Sequence, residues 1–181
     1  SAKVGVRRTF DILDAEQITP DGHKALGNQS AKDEISFEQV SFGYNPAKPV
    51  LKNIELRIAP GKKIAIVGPT GAGKSTLVSL LPRFYDPQSG RITIGGIDIR
   101  QFQLKSLRQQ IAMVLQPPVL FPLSIRENIA YGRPEASLNE VTAAAKVAHI
   151  HDFIEELPEK YDTVIGEQAA TLSEGQKLRL T

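Results

Sequence analysis

Apolar positions along this chain fall into three regimes, and each predicts a different kind of element. Ile35, Phe37, Val40 and Phe42, then Ile54, Leu56 and Ile58, recur among polar residues close to the period of two that marks half-buried strands. The stretch Asn45-Pro-Ala-Lys-Pro49 between them reads as a loop, so the two runs are expected to pair as an antiparallel layer. Gly90 to Ile94 reads as a further strand. Two other runs, Ile64 to Val67 and Ile111 to Leu115, are apolar without alternation. Such runs are expected of strands buried on both faces of a parallel sheet. The third regime follows Gln116, where apolar residues recur at helical spacing: Leu138, Val141, Ala145 and Ala148. Ser124-Ile-Arg-Glu127 and Ser137-Leu-Asn-Glu140 fit capping boxes at helix starts, and Ser173-Glu-Gly-Gln176 is a third capping sequence. A helical subdomain is therefore expected over about 117–166. The first 33 residues read as a turn-rich connector preceded by a short helix over Val4 to Asp14.

The most specific chemistry lies between the first unbroken apolar run and a helix-period run at Leu77, Leu80, Leu81 and Phe84. Gly68-Pro69-Thr70-Gly71-Ala72-Gly73-Lys74-Ser75 fits the phosphate-binding pattern G-x-x-x-x-G-K-[ST] in the strand-loop-helix context that it requires. Backbone N–H groups at the helix start and the positive end of its dipole converge there on an anion, and the glycines let the backbone curl close to phosphate oxygens. Lys74 is placed to reach the β- and γ-phosphates, and Ser75 offers a hydroxyl oxygen to Mg²⁺, a cation that prefers oxygen ligands. Thr76 adds a hydrogen-bonding group next to them. The chain is thus expected to hold a nucleoside triphosphate with magnesium.

Bulk properties narrow the rest. With 181 residues the chain is ample for one core, and with 22 basic against 20 acidic residues it has no polybasic stripe, so nucleic acid is not an expected partner. There is no cysteine, which excludes disulfides and thiolate metal sites. No apolar stretch approaches the roughly 20 residues of a membrane span. The three histidines, His23, His149 and His151, read as surface or helix-packing residues.

Taken together, the segments resemble the nucleotide-binding domain of ABC transporters of the exporter type. The resemblance rests on Phe42-Gly-Tyr44, the phosphate loop, Gln116 closing an apolar run, and Leu172-Ser-Glu-Gly-Gln176 in that order. The stretches 124–132 (SIRENIAYG) and 151–167 (HDFIEELPEKYDTVIGE), and the opening Arg7-Arg-Thr-Phe-Asp-Ile-Leu-Asp14, extend it over nearly the whole chain. It implies an α/β fold: a P-loop NTPase core with an antiparallel β subdomain and an α-helical subdomain, incomplete at its C-terminus. It further implies ATP and Mg²⁺ as ligands, with Tyr44 stacking on adenine and Gln116 reaching Mg²⁺ or the attacking water. Ser173, Gly175 and Gln176 would contact the γ-phosphate held by a second nucleotide-binding domain in a head-to-tail dimer. A transmembrane domain of the same parent would be the other partner, at the cytoplasmic face of a membrane.

Residue by residue, blander readings stand beside these: Tyr44 as a core tyrosine, Gln116 as a strand-end residue, Ser173 as a plain N-cap. The chain also departs from the family pattern. Glu174 replaces a glycine, which would place a carboxylate near the polyphosphate unless it points to solvent, and Gln168-Ala169 replace the usual arginine and glycine. No four-residue apolar run followed by Asp-Glu occurs, nor a histidine after the signature. The resemblance therefore implies that this stretch binds ATP without hydrolysing it, that the helix begun at Ser173 is cut short at Thr181, and that an apolar strand edge lies open to association. Two other function classes fit part of the pattern: a nucleotide-dependent dimerisation module without turnover, and a soluble P-loop enzyme. The second lacks an N-K-x-D base-reading motif and gives the signature pentapeptide no role.

Overall fold

The computed structural model describes residues 19–27, 33–166 and 172–181, so the expected helix over 4–14 and the Gln168-Ala169 departure lie outside the described residues. The chain divides into two compact units, Ser1–Ile111 and Ala112–Thr181.

The first unit is built on a four-stranded antiparallel sheet of order β2-β1-β3-β4, made from β1 (Ile35–Phe42), β2 (Leu51–Ile58), β3 (Ser89–Ile94) and β4 (Ile97–Asp98). Pairing of Ile35 with Ile58 and of Phe37 with both Leu56 and Ile92 puts the alternating apolar positions in register across three strands. An irregularity between Phe37 and Val40, with Gln39 at φ 51°, returns Val40 and Phe42 to the buried face. The core joins Phe37, Val40, Phe42, Ile92 and Ile94 of the sheet to Leu77 of helix α1 (Lys74–Ser79) and Leu80 just after it. Behind β4, a 3-10 turn at Ile99–Gln101 leads into α2 (Leu104–Arg108), which adds Ile99, Phe102 and Leu107 to the same core.

The antiparallel layer forms as expected; the two unbroken apolar runs do not form strands. Ile64, Ile66 and Val67 are 48%, 40% and 88% exposed, and Val114 and Leu115 are 65% and 49% exposed, all outside regular structure. A strand meets its backbone hydrogen-bonding needs only through neighbours, and among the described residues neither run has a ladder partner. Helix α1 is also shorter than the spacing of Leu77 to Phe84 suggests. Pro82 bars continuation, Leu81 N–H reaches only to Val78, and Arg83 turns into the left-handed region at φ 52°. Phe84 consequently leaves the helix and lies 5.6 Å under the Arg108 guanidinium.

The second unit consists of short helices: α3 (Ile125–Ile129), α4 (Leu138–Val147), α5 (His151–Glu155) and α6 (Glu174–Leu180), with a 3-10 turn at Lys160–Asp162. All three expected capping boxes are present, at Ser124/Glu127, Ser137/Glu140 and Ser173/Gln176. Val141, Ala145, Ile150 and Ile154 join Ile125, Tyr161 and Leu180 in this unit's core. Of the histidines here, His151 is half-buried with Nδ1 2.8 Å from Tyr161 Oη, whereas His149 is exposed and its backbone carbonyl accepts from Arg179.

One acid in the first unit ties its stability to pH. Asp98 caps the 3-10 turn through the Arg100 N–H and meets the Arg100 guanidinium at 2.5 Å. Burial works against its charge, but these hydrogen bonds and the nearby positive charges of Arg100 and Arg83 outweigh it and hold the carboxyl below its ordinary value. A lowered folded pKa means a contribution complete above the unfolded value of about 3.9 and lost as pH falls through the folded value. Asp98→Asn is therefore expected to lower the melting temperature at pH 7, with the gap from the parent closing as pH falls below about 4 when melting is followed by circular dichroism.

Candidate nucleotide site

The phosphate loop enters α1 through Gly71 and Gly73, both left-handed at φ 83° and 86°. At Gly73 a side chain is excluded twice, since an added Cβ would sit 2.9 Å from Leu51 Cδ2 and 3.0 Å from Val50 Cγ1. Within the loop, Ala72 N–H donates to the Pro69 carbonyl at 3.2 Å. Lys74 folds back over it, donating from Nζ to the carbonyls of Gly68 and Pro69 at 2.9 and 2.8 Å. The ammonium is thereby fixed above the loop and beside the N-terminus of α1. Ser75 is exposed on the first turn of the helix, while Thr76 is buried.

Thr76 links the loop to the aromatic predicted for the base. Its Oγ1 lies 3.2 Å from Tyr44 Oη. Tyr44 follows the end of β1 and stands edge-on to both Phe42 and Tyr85, with centroids 5.3 and 5.2 Å away at 81° and 86°. Phe42 and Tyr85 themselves lie 5.4 Å apart. Two edge contacts orient the ring, and its 59% exposure leaves a face open. Tyr44 is thus a surface ring held by a core residue, not a core tyrosine. Tyr85 was not legible as part of this cluster because it follows Pro82, where the helical register that would have located it breaks.

The donor set fits an anionic phosphate tail with a hard cation. A loop closed to side chains at Gly73, a lysine ammonium aimed over it, helix N–H groups and the serine hydroxyl are the chemistry that such a tail and Mg²⁺ require. In the second unit, Gln116 is exposed and precedes a cis peptide to Pro117. Ser173 caps α6, its Oγ accepting from Gln176 N–H at 3.2 Å while Gln176 Oε1 accepts from Ser173 N–H at 2.8 Å. Gly175 lies exposed on the first turn. Glu174 points outward, 71% exposed, and receives a hydrogen bond from Lys177 at 3.0 Å.

Comparison with known proteins identifies the family. The family model described as ABC transporter matches residues 51–181. The chain belongs to the ABC transporter family. It is 46% identical over 177 residues to an uncharacterized ABC transporter ATP-binding protein, YfiC, of Bacillus subtilis, covering 98% of this chain and 29% of that protein. It is 47% identical over 175 residues to an ATP-dependent lipid A-core flippase of Desulfotalea psychrophila, covering 97% and 30% of the two chains. A fatty acid ABC transporter ATP-binding/permease protein of Mycobacterium bovis is 44% identical over 181 residues, all of this chain and 28% of the relative. Among solved structures, a bacterial Atm1-family ABC exporter with ATP bound matches with a TM-score of 0.86 at 44% identity, over 98% of this chain and 31% of that one. The fold is the ABC ATPase fold, and the chain spans under a third of the length of these ABC relatives. Among the described residues no helix is long and apolar enough to cross a membrane.

Proposed function

We propose that this chain is the nucleotide-binding part of an ABC exporter, binding MgATP at residues 68–76 and coupling that binding to movement of a transmembrane domain in the same protein. One observation carries the reading: the Lys74 ammonium held over the carbonyls of Gly68 and Pro69 at the mouth of α1, with Tyr44 linked to the same helix through Thr76. The relatives supply the context, since two are named as combined ATP-binding/permease or flippase proteins.

In this reading Lys74 attracts the β- and γ-phosphates, the backbone of Gly71 to Ser75 donates to their oxygens, and the Ser75 hydroxyl ligates Mg²⁺. The metal supplies neutralisation of the charge on the phosphates. The Thr76 hydroxyl, with one donor and two acceptor sites, keeps capacity for a phosphate oxygen beside its bond to Tyr44. Tyr44 offers its open face to the adenine ring. Gln116 as a second ligand of Mg²⁺ or of water, and Ser173, Gly175 and Gln176 as contacts to nucleotide on a second nucleotide-binding domain, rest on the sequence resemblance. The Glu174 carboxylate is compatible with that role because it faces solvent and Lys177. Hydrolysis requires a carboxylate that none of the motifs in this stretch provides, so residues 19–181 alone are proposed to bind without turnover.

Tyr44 offers a direct test. Tyr44→Ala in the full-length protein is expected to weaken MgATP binding about tenfold, in line with ~1–3 kcal/mol per stacked base. Tyr44→Phe should retain most of the affinity because the ring remains. Calorimetric titration of both variants reads this, and an Ala variant with parental affinity would remove Tyr44 from the site.

A further inference from the structure

Among the described residues of the first unit Arg83 is the most completely buried charged side chain, 1% exposed, and the proposed nucleotide chemistry does not use it. Its Nε and Nη2 donate to the two oxygens of Asp86 at 2.9 and 2.8 Å. Nη2 also donates to the Pro20 carbonyl at 3.1 Å, and Nη1 to the Arg100 carbonyl at 3.4 Å. One guanidinium therefore ties together the turn that follows α1, the segment ahead of the sheet and the turn that leads into α2. Arg108 reinforces the junction from α2, donating to the carbonyls of Pro82 and Arg83 at 2.9 and 3.0 Å.

The segment at Pro20 is itself docked along its length. Asp21 Oδ1 accepts from the N–H of Leu104 at 2.6 Å, satisfying a group at the start of α2, and from Gly22 N–H at 3.0 Å. His23 and Lys24 N–H groups donate to the Gln101 carbonyl, Gln103 N–H donates to the Lys24 carbonyl at 2.7 Å, and Leu26 N–H donates to Ser106 Oγ at 3.0 Å. Gly22 lies so close that an added Cβ would fall 2.4 Å from the Gln101 carbonyl carbon. Such a set of contacts exceeds what a tether needs. It fixes the position of residues 19–26 against the turn and α2, and Arg83 passes that position to α1.

We propose that Arg83 is a positioning residue through which the segment 19–26 sets the placement of α1 and its phosphate loop. The route is short. Helix α1 has six residues, about 9 Å, and continues into turns in which Leu81 N–H donates to the Val78 carbonyl and Arg83 N–H to the Leu80 carbonyl, so displacement at Arg83 is carried through these turns to the helix and to Lys74 at its start. The inference rests on the proposed function, in which a transmembrane domain belongs to the same protein; it adds a hydrogen-bonded path from residues 19–26 to the nucleotide site.

The test uses the full-length protein with hydrogen exchange and MgATP titration as joint readouts. Asp21→Ala removes the acceptor on Leu104 without touching α1, Asp21→Asn keeps an acceptor oxygen, and Gly22→Val forces the segment off sterically. The expected result for Asp21→Ala and Gly22→Val is exchange at least threefold faster at residues 74–83 as well as at 19–26, with MgATP affinity reduced several-fold and Asp21→Asn close to the parent. Faster exchange confined to 19–26 and 100–108, with affinity unchanged, would overturn the proposal. A parent protein that gains no protection at 68–79 from MgATP would instead refute the proposed function, so the two failures are distinguishable.

Discussion

Replacing Lys74 with alanine is expected to weaken MgATP binding by about a hundredfold or more while leaving the fold intact. Hydrogen bonds from a charged donor contribute roughly 1.5–3 kcal/mol each, and this ammonium is placed to reach more than one phosphate oxygen. The structural cost is small because its partners, the Gly68 and Pro69 carbonyls, lie on an exposed loop where water replaces Nζ. Affinity and melting temperature should therefore separate, the first falling steeply and the second moving by no more than the ~0.5 kcal/mol typical of surface changes. Lys74→Arg is not a conservative control, since a planar fork does not fit where a compact point charge bonds two carbonyls. Titration calorimetry and thermal melts on the same preparations check both halves.

The largest effect on stability is expected at Arg83. Arg83→Met removes the buried member of a bidentate ion pair whose acid, Asp86, is 23% exposed, and leaves that carboxylate and the Pro20 and Arg100 carbonyls without this donor. Hydrogen bonds from a charged donor contribute about 1.5–3 kcal/mol each, less where water can replace the donor as at Asp86, so the expected loss is about 2–3 kcal/mol, a sizeable share of the stability of a domain of this size. The double variant Arg83→Met/Asp86→Leu should recover part of the loss because no unpaired carboxylate remains. Urea unfolding midpoints, with unchanged slopes, report the difference.

How much of this could be read from residues alone depends on how local the cause is. Capping boxes involve neighbours three residues apart, so Ser124, Ser137 and Ser173 announced helix starts that the structure contains. The alternation in β1 and β2 was equally legible, because one buried face imposes it. Ile64 to Val67 and Ile111 to Leu115 failed as strands for the opposite reason: apolar character says where a strand could be buried, whereas forming one needs a partner that local sequence does not contain. Lys74, Thr76 and Tyr44 were found as separate motif positions, and the structure adds that the loop and the aromatic are joined through Thr76. Arg83 was not found at all. Its partners lie at sequence separations of 3, 17 and 63, and an arginine beside a proline in a turn carries no signal that it will be buried.

Competition between nucleotides of different phosphate length tests the central claim most directly. If the loop at residues 68–76 grips the terminal phosphates, full-length protein should bind MgATP at least a hundredfold more tightly than AMP, and Lys74→Ala should erase most of that ratio. Equal affinities for MgATP and AMP, or a ratio that survives Lys74→Ala, would contradict the account.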